Sequence, residues 1–220
     1  MAKEENKTSN VPARPTLQRP TIQKKLSWQD MANASPRVRV TKRIMKLQQD
    51  KVASQLLDQA KQMCTEFVEA KLERDGFLQS NRKNKPTALT SMFISSNIDT
   101  AVMVSKRMQD IGEMLEECYP RLYVNIAQHV NTSFTSENIV NEVFNNVATE
   151  IVHDGVNWAR IAAVYTFAGA LTSECYKNNK IGFVSDIANW MYEFSALHLV
   201  DWVKKKGGWV SILQLRIKTK

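Results

Sequence analysis

An arginine at the start of an apolar helix is the feature of this sequence that points most directly to a binding site. Gly155 interrupts the preceding element, and Asn157 is a residue type that caps a helix by accepting a backbone N–H. Arg160 then falls in the first turn, where the helix dipole favours a negative charge. We therefore expect an acidic partner to hold the Arg160 guanidinium.

The elements that position this arginine are all predicted to be helices. Apolar residues recur at alternating intervals of three and four, which is typical of amphipathic helices, over residues 56–70, 104–115 and 140–151. Residues 158–175 are apolar nearly all round, which predicts a central buried helix. Residues 181–206 are again helical, and two glycines end them before a short terminal helix. We predict an all-α fold with a central hydrophobic helical hairpin wrapped by amphipathic helices.

Charge is distributed unevenly along the chain. Its 30 Lys and Arg residues against 22 Asp and Glu residues give a net charge of +8, and residues 1–46 alone hold 11 of the former and 3 of the latter. Four of the six prolines lie in the first 36 residues, a composition that buries too little apolar surface to fold. We predict a basic, mostly disordered tail over 1–45 and a helical domain over 46–220.

Several classes of protein are disfavoured by the residues that the sequence lacks. Cys64, Cys118 and Cys175 are odd in number and widely spaced, which indicates a reducing compartment rather than disulfides. The histidines have no metal-ligand spacing, and no glycine-rich phosphate loop or CxxC pair occurs. We therefore expect no enzyme activity, no metal and no cofactor. We also predict neither a signal peptide nor a membrane span within this sequence.

Several short motifs resemble those of the Bcl-2 family of apoptosis regulators, in order and in spacing. GVNWAR at 155–160 resembles the NWGR signature of the first homology motif, and Gly207-Gly208-Trp209 resembles the start of the second. Residues 104–115 resemble the third motif, the short killer helix, and residues 56–76 look most like the first helix of the Bok-like branch. The resemblance covers roughly residues 50–213 and implies a Bcl-2-like helical bundle.

The resemblance also implies a binding site for the amphipathic killer helices of other family members. In this family a groove on the bundle takes such a helix by its apolar face. Arg160 would pair with the acidic residue of the ligand, and Asn157 would add polar contacts beside it. Phe144, Val147 and, across the groove, Tyr123 are the expected apolar lining. A homodimer or heterodimer is a further expectation.

Two positions depart from the family pattern. Ala159 stands where the first motif has glycine, and an added methyl group in a tight contact costs about 1–3 kcal/mol unless the ligand shifts. Glu113 stands where the third motif has aspartate, which keeps the charge on a longer arm. The chain's own killer-helix motif comprises Val104, Met108, Ile111, Gly112, Glu113 and Leu115.

Simpler structural roles compete with each of these functional roles. Arg160 could pair inside the protein with Glu113 or another acid. Trp158 is expected to pack rather than to contact a ligand. The apolar stripe of the third motif could serve as the core face of its own helix; it comprises Val104, Met108, Ile111 and Leu115. Whether this helix can also leave the core and enter the groove of a partner is a separate question.

The direction of action has two candidate answers. Residues around 154–161 and 190–203 look more like pro-survival members, which sequester killer helices, and we expect that activity. The alternative is a Bok-like pro-apoptotic effector that permeabilises the outer mitochondrial membrane. A distant alternative is a helical nucleic-acid-binding module that uses the basic tail, which could equally touch an anionic membrane surface. We expect a cytoplasmic protein, or a mitochondrial one if a C-terminal anchor follows or on activation.

Overall fold

The computed structural model describes residues 36–78, 98–121, 123, 125 and 136–215, and these residues form a bundle of helices. The α-helices are α1 (Pro36–Gln48), α2 (Lys51–Arg74), α3 (Ile98–Cys118), α4 (Glu137–Val152), α5 (Trp158–Lys177), α6 (Phe183–Phe194) and α7 (Val200–Lys205). A π-helix, Ser195–Leu199, joins α6 to α7, and a 3-10 helix, Trp209–Gln214, follows. The described residues contain no β-strand, and the predicted all-α class is confirmed.

Helix α5 lies at the centre of the bundle. Its residues are buried on almost every side, with Ile161, Tyr165 and Leu171 fully inaccessible to solvent. Helices α2, α3, α4 and α6 all pack against it. Asn157 begins the helix as predicted, because its Oδ1 accepts the backbone N–H of Arg160 at 2.9 Å. The central buried helix predicted from the sequence is therefore present, and its start is fixed by a cap.

Aromatic residues from distant parts of the chain meet at the start of α5. The Trp158 ring lies 5.0 Å from that of Trp202 and 5.8 Å from that of Trp209, between ring centroids. Trp209 donates its indole N–H to the Leu56 carbonyl at 3.0 Å, and Tyr165 donates its hydroxyl to the Ala60 carbonyl at 3.0 Å. Trp158 packs in the core, as expected, and this cluster joins the start of α2 to α5 and to the 3-10 helix.

Helix α1 begins inside the segment that the sequence analysis assigned to the tail, so the boundary at residue 45 needs correction. Leu47 is buried and Ile44 packs against the core, which gives α1 an apolar face. Arg43 forms an ion pair with Asp201 and donates from Nε to the Ala196 carbonyl at 3.2 Å. The helical domain therefore extends back to Pro36, while residues 1–35 lie outside the described residues.

None of the described helices is both long enough and apolar enough to cross a membrane.

Candidate partner-binding site

The Arg160 guanidinium lies at the surface and has an acidic partner, but not one named in advance. Its Nη1 donates to the Gly155 carbonyl at 2.7 Å, and its Nη2 lies 3.2 Å from Asp154 Oδ2. The Arg160 side chain is 31% exposed and that of Asp154 is 77% exposed. The loop before α5 therefore orients the arginine, while solvent, and hence a ligand, can still reach it.

The neighbours of Arg160 divide between surface and core. Asn157 and Ala159 are exposed, whereas Trp158 between them points inward and is only 9% exposed. Ala159 therefore presents its methyl group to solvent at the position where close approach by a ligand was expected to matter. The structure brings together Asn157, Ala159 and Arg160 as one surface patch at the start of α5.

The predicted apolar lining is more scattered. Phe144 is fully buried, and its ring packs 6.2 Å from those of both Phe167 and Trp190. Val147, one turn further along α4, is half-buried and packs against the same core. Phe144 thus supports α4 from the inside, and of these two residues only Val147 contributes to the surface.

Tyr123 lies at the other end of α5. It lines a cavity of about 210 Å³ together with Lys71, Asp75, Glu116 and Ser173. Ser173 follows Arg160 by 13 positions, or about 20 Å along the helix axis. Burial raises the pKa of Tyr123 to about 12, and the nearby Glu116 carboxylate adds to the shift. The structure therefore does not place Tyr123 beside Arg160, and part of the chain between them, residues 126–135, lies outside the described residues.

The chain's own killer-helix motif faces inward on α3. Val104, Met108 and Ile111 are at most 2% exposed, and Leu115 is half-buried against the core. The apolar stripe thus serves as the core face of its own helix in this conformation, which was one of the two roles open from the sequence.

Gly112, in the middle of that motif, permits a close contact between α2 and α3. A Cβ atom at Gly112 would lie 2.5 Å from Cζ of Phe67, a distance that requires something to move. On α5, a Cβ atom at Gly169 would lie 3.1 Å from Cε1 of the same ring. The Phe67 ring therefore occupies a space between α3 and α5 that exists because both positions are glycine.

Polar contacts between α2 and α3 surround this ring. Arg74 forms an ion pair with Glu113, and Lys71 Nζ lies 3.2 Å from Glu116 Oε2. In addition, Ser105 donates its hydroxyl to Glu66 Oε2 at 2.8 Å in the buried interface. The motif's acidic residue, Glu113, is therefore engaged by Arg74 and not by Arg160.

The three cysteines differ in their surroundings. Burial raises the pKa of the Cys64 and Cys175 thiols to about 12, whereas Cys118 is exposed. Among the residues that the structure describes, no three His, Cys, Asp or Glu side chains are grouped to hold a metal ion. Asp154 was not predicted as the partner of Arg160, because their contact depends on the path of the loop rather than on a local sequence pattern.

The sequence of this chain is similar to those of known proteins. Residues 108–209 match the sequence model of the family described as apoptosis regulator proteins, Bcl-2 family. The Bcl-2-related ovarian killer protein homolog A of Danio rerio is 31% identical, over 75% of this chain and 75% of that protein.

Solved structures show the same fold. The crystal structure of chicken BOK superposes with a TM-score of 0.63 at 28% identity, covering 75% of this chain and 98% of that one. Trichoplax adhaerens trBcl-2L2, solved bound to trBak BH3, gives a TM-score of 0.59 at 19% identity and covers 72% of this chain and 97% of that one. Together with the buried α5, the capped arginine motif and the α3 stripe, these similarities show that the chain belongs to the Bcl-2 family of apoptosis regulators.

Proposed function

We propose that this protein is a Bok-like pro-apoptotic effector that permeabilises the outer mitochondrial membrane. The observation that carries the proposal is the similarity to Bok proteins in both sequence and structure over three quarters of the chain, well beyond residues 108–209. This similarity favours the alternative of the sequence analysis over the pro-survival activity expected there.

The α2–α3 interface is compatible with such a role. Permeabilising a bilayer requires apolar surface, and the α3 stripe that could supply it is buried in the described conformation. Two ion pairs border that interface: Arg74 with Glu113, which is partly exposed, and Lys71 with Glu116, which is more buried. The more exposed pair contributes about 0–1 kcal/mol and weakens in salt, so we expect apolar packing to be the main contribution that holds α3 against α2.

Release of a trapped dye from vesicles tests the effector proposal. We expect the purified protein to release dye in proportion to its concentration from vesicles with outer-mitochondrial lipid composition. Gly112→Ala should release dye faster, because the added methyl group pushes the Phe67 ring and loosens α3. Gly182→Ala is the matched control, since a Cβ atom there meets nothing within 4 Å. Membrane-bound protein that releases no dye, even as Gly112→Ala, would overturn the proposal.

We also propose that the patch around Arg160 receives the acidic residue of an amphipathic killer helix. The specific support is that Arg160 is oriented but accessible, and that its present partner, Asp154, is a solvent-exposed carboxylate that a ligand could replace. Asn157 and Ala159 are exposed next to it. A protein of the same fold, trBcl-2L2, was solved with a BH3 segment bound.

Titration with synthetic killer-helix peptides tests this second proposal. We expect a dissociation constant tighter than about 10 μM, which corresponds to about 7 kcal/mol. Arg160→Glu should weaken binding at least about tenfold, because a hydrogen bond to a charged group contributes about 1.5–3 kcal/mol. Lys61→Glu, a charge reversal at an exposed position of α2, should bind like the wild type. Equal effects of the two substitutions, or no binding in this range, would contradict the proposal.

A further inference from the structure

Helix α1 carries an unusual concentration of positive charge. Its 13 residues include no acidic side chain and five basic ones, namely Arg37, Arg39, Lys42, Arg43 and Lys46. Arg39 and Lys46 are exposed, and Lys42 lies between them on the outward side of the helix. The helix thus turns its apolar side to the core and a basic side to solvent.

The end of α7 continues this basic surface. Arg43 of α1 pairs with Asp201 at the start of α7, and Lys204 pairs with Asp50 in the turn between α1 and α2. These contacts bring Lys204 next to the turn, and the exposed Lys205 and Lys206 follow it directly in the chain. Each of the two acids within these segments already has a basic partner. We call α1, the turn at 49–52 and Lys204–Lys206 the basic face.

Apolar side chains are exposed within the same surface. Met45 is 60% exposed, the highest value among the described large apolar side chains, and Val52 is 52% exposed. They flank the turn between α1 and α2, and each has a lysine as its immediate neighbour in sequence, Lys46 and Lys51 respectively. Lys206 Nζ also lies 5.5 Å above the half-buried Trp202 ring. At the surface of a bilayer, exposed apolar side chains can enter the acyl-chain region while neighbouring lysines contact the phospholipid headgroups.

Charge is close to balance at the far end of α2, where acidic side chains of α3 meet basic side chains of α2 and α3. Over residues 106–117, α3 carries four acids, Asp110, Glu113, Glu116 and Glu117, against two bases, Lys106 and Arg107. Its ion pairs are with Lys71 and Arg74 at the end of α2, whereas Lys204 pairs with Asp50 at the beginning. The 24 residues of α2 span about 36 Å, so the basic face lies well apart from these balanced charges. An anionic surface would attract the basic face more strongly than the end of α2 that contacts α3.

We infer that the basic face docks the protein on an anionic phospholipid membrane, an inference that takes its occupant from the proposed membrane-permeabilising function. Lysine and arginine side chains near such a surface each strengthen binding about fivefold. Met45 and Val52 favour a bilayer over nucleic acid, because insertion removes their apolar surface from water whereas a phosphate backbone offers no apolar contact.

Co-sedimentation of the full chain with vesicles tests the face. The wild type should bind phosphatidylcholine vesicles that contain phosphatidylserine and not vesicles of phosphatidylcholine alone. Arg39→Glu, Lys46→Glu and Lys205→Glu together should weaken binding at least about tenfold. The matched control reverses the same number of charges at exposed positions away from the face: Lys106→Glu, Arg121→Glu and Lys180→Glu. Circular dichroism confirms that both variants are folded.

Equal loss of binding by the two triple variants, or no loss in either, would overturn the inference. A second measurement uses an environment-sensitive fluorophore attached to Met45→Cys or Met103→Cys in a Cys118→Ser background, since Cys64 and Cys175 are buried. The emission at position 45 should shift to the blue on anionic vesicles, and that at exposed position 103 should not. Tight binding to DNA with no shift at position 45 on vesicles would also overturn it. Vesicle binding without dye release would contradict the proposed effector function but would support membrane binding by the basic face.

Discussion

The two ends of α2 are attached to the bundle by different kinds of contact. At its beginning, buried aromatic side chains donate to the carbonyls of Leu56 and Ala60. At its end, Arg74 pairs with the half-exposed Glu113 and Lys71 pairs with the more buried Glu116 on α3. Buried packing contributes more than exposed ion pairs and is insensitive to salt. The ion pairs between the end of α2 and α3 are therefore the part of these attachments that added salt should weaken most.

Removing the aromatic anchor at the beginning of α2 should have the largest effect. Trp209 is 1% exposed, so Trp209→Ala should lower the free energy of unfolding by about 3–5 kcal/mol. Val210→Ala, at a position 36% exposed, should change it by less than about 0.5 kcal/mol. Urea denaturation measures both. A similar decrease in the free energy of unfolding for the two variants would show that Trp209 does not anchor the beginning of α2.

An added methyl group between the two ends should have an intermediate effect. Gly112→Ala should destabilise the fold by about 1–3 kcal/mol, because the Phe67 ring must move. For a chain of this size that lowers the melting temperature by about 2–4 °C per kcal/mol. Gly182→Ala, with open space around its Cβ position, should leave it unchanged or slightly higher. Equal melting temperatures for the wild type and Gly112→Ala would disprove the tight contact.

The ion pairs at the end of α2 should contribute less. A double-mutant cycle on Arg74→Ala and Glu113→Ala should give a coupling energy of about 0.2–1 kcal/mol that decreases with added salt. The reason is exposure: the two side chains are 29% and 47% accessible. A coupling energy several times larger, unchanged by salt, would place the strong attachment at this end instead.

Lowering the pH should have the smallest effect on stability, through the Asp50 carboxylate at the beginning of α2. The hydrogen bond from Lys204 and the backbone N–H of Ala53 lower the pKa of Asp50 from its ordinary value of 3.8. A carboxylate with a lowered pKa stabilises the fold above that ordinary value, and the contribution disappears as the pH falls through the folded-state pKa. Asp50→Asn keeps a capping oxygen and loses the charge, so its melting temperature should lie below that of the wild type at neutral pH and approach it in acid. A constant difference across this range would exclude Asp50 as the titrating group.

The local features of the fold could be predicted from the sequence, because they depend on residues close together in the chain. The apolar stripes of α2, α3 and α4, the Asn157 cap and the buried character of α5 follow from spacing within a few turns. Helix α1 was missed although Val40, Ile44 and Leu47 have helical spacing, because the prolines and charges before them suggested disorder. It packs through Ile44 and Leu47 on the core, and Arg43 contacts Ala196 and Asp201, more than 150 positions away.

The surroundings of Arg160 were harder to predict than the helix start that carries it. The patch of Asn157, Ala159 and Arg160 follows from one helix turn. Which residue of the α4 stripe is deepest depends on how α4 crosses α5, and this is why Phe144 is inaccessible while Val147 is not. The distance between Tyr123 and Arg160 depends on the path of a chain segment that spacing alone does not determine.

The contact between Arg160 and Asp154 has a thermodynamic consequence for any acidic ligand. Gly155 and Asp154 already orient the Arg160 guanidinium, so the Arg160 side chain loses less conformational entropy when a ligand binds. It must also displace a carboxylate, so association is an exchange of one anion for another rather than the neutralisation of a lone cation. The released Asp154 is restored to water at little cost, since it is already largely hydrated. Selectivity at this position then arises from how much better than Asp154 the incoming carboxylate fits.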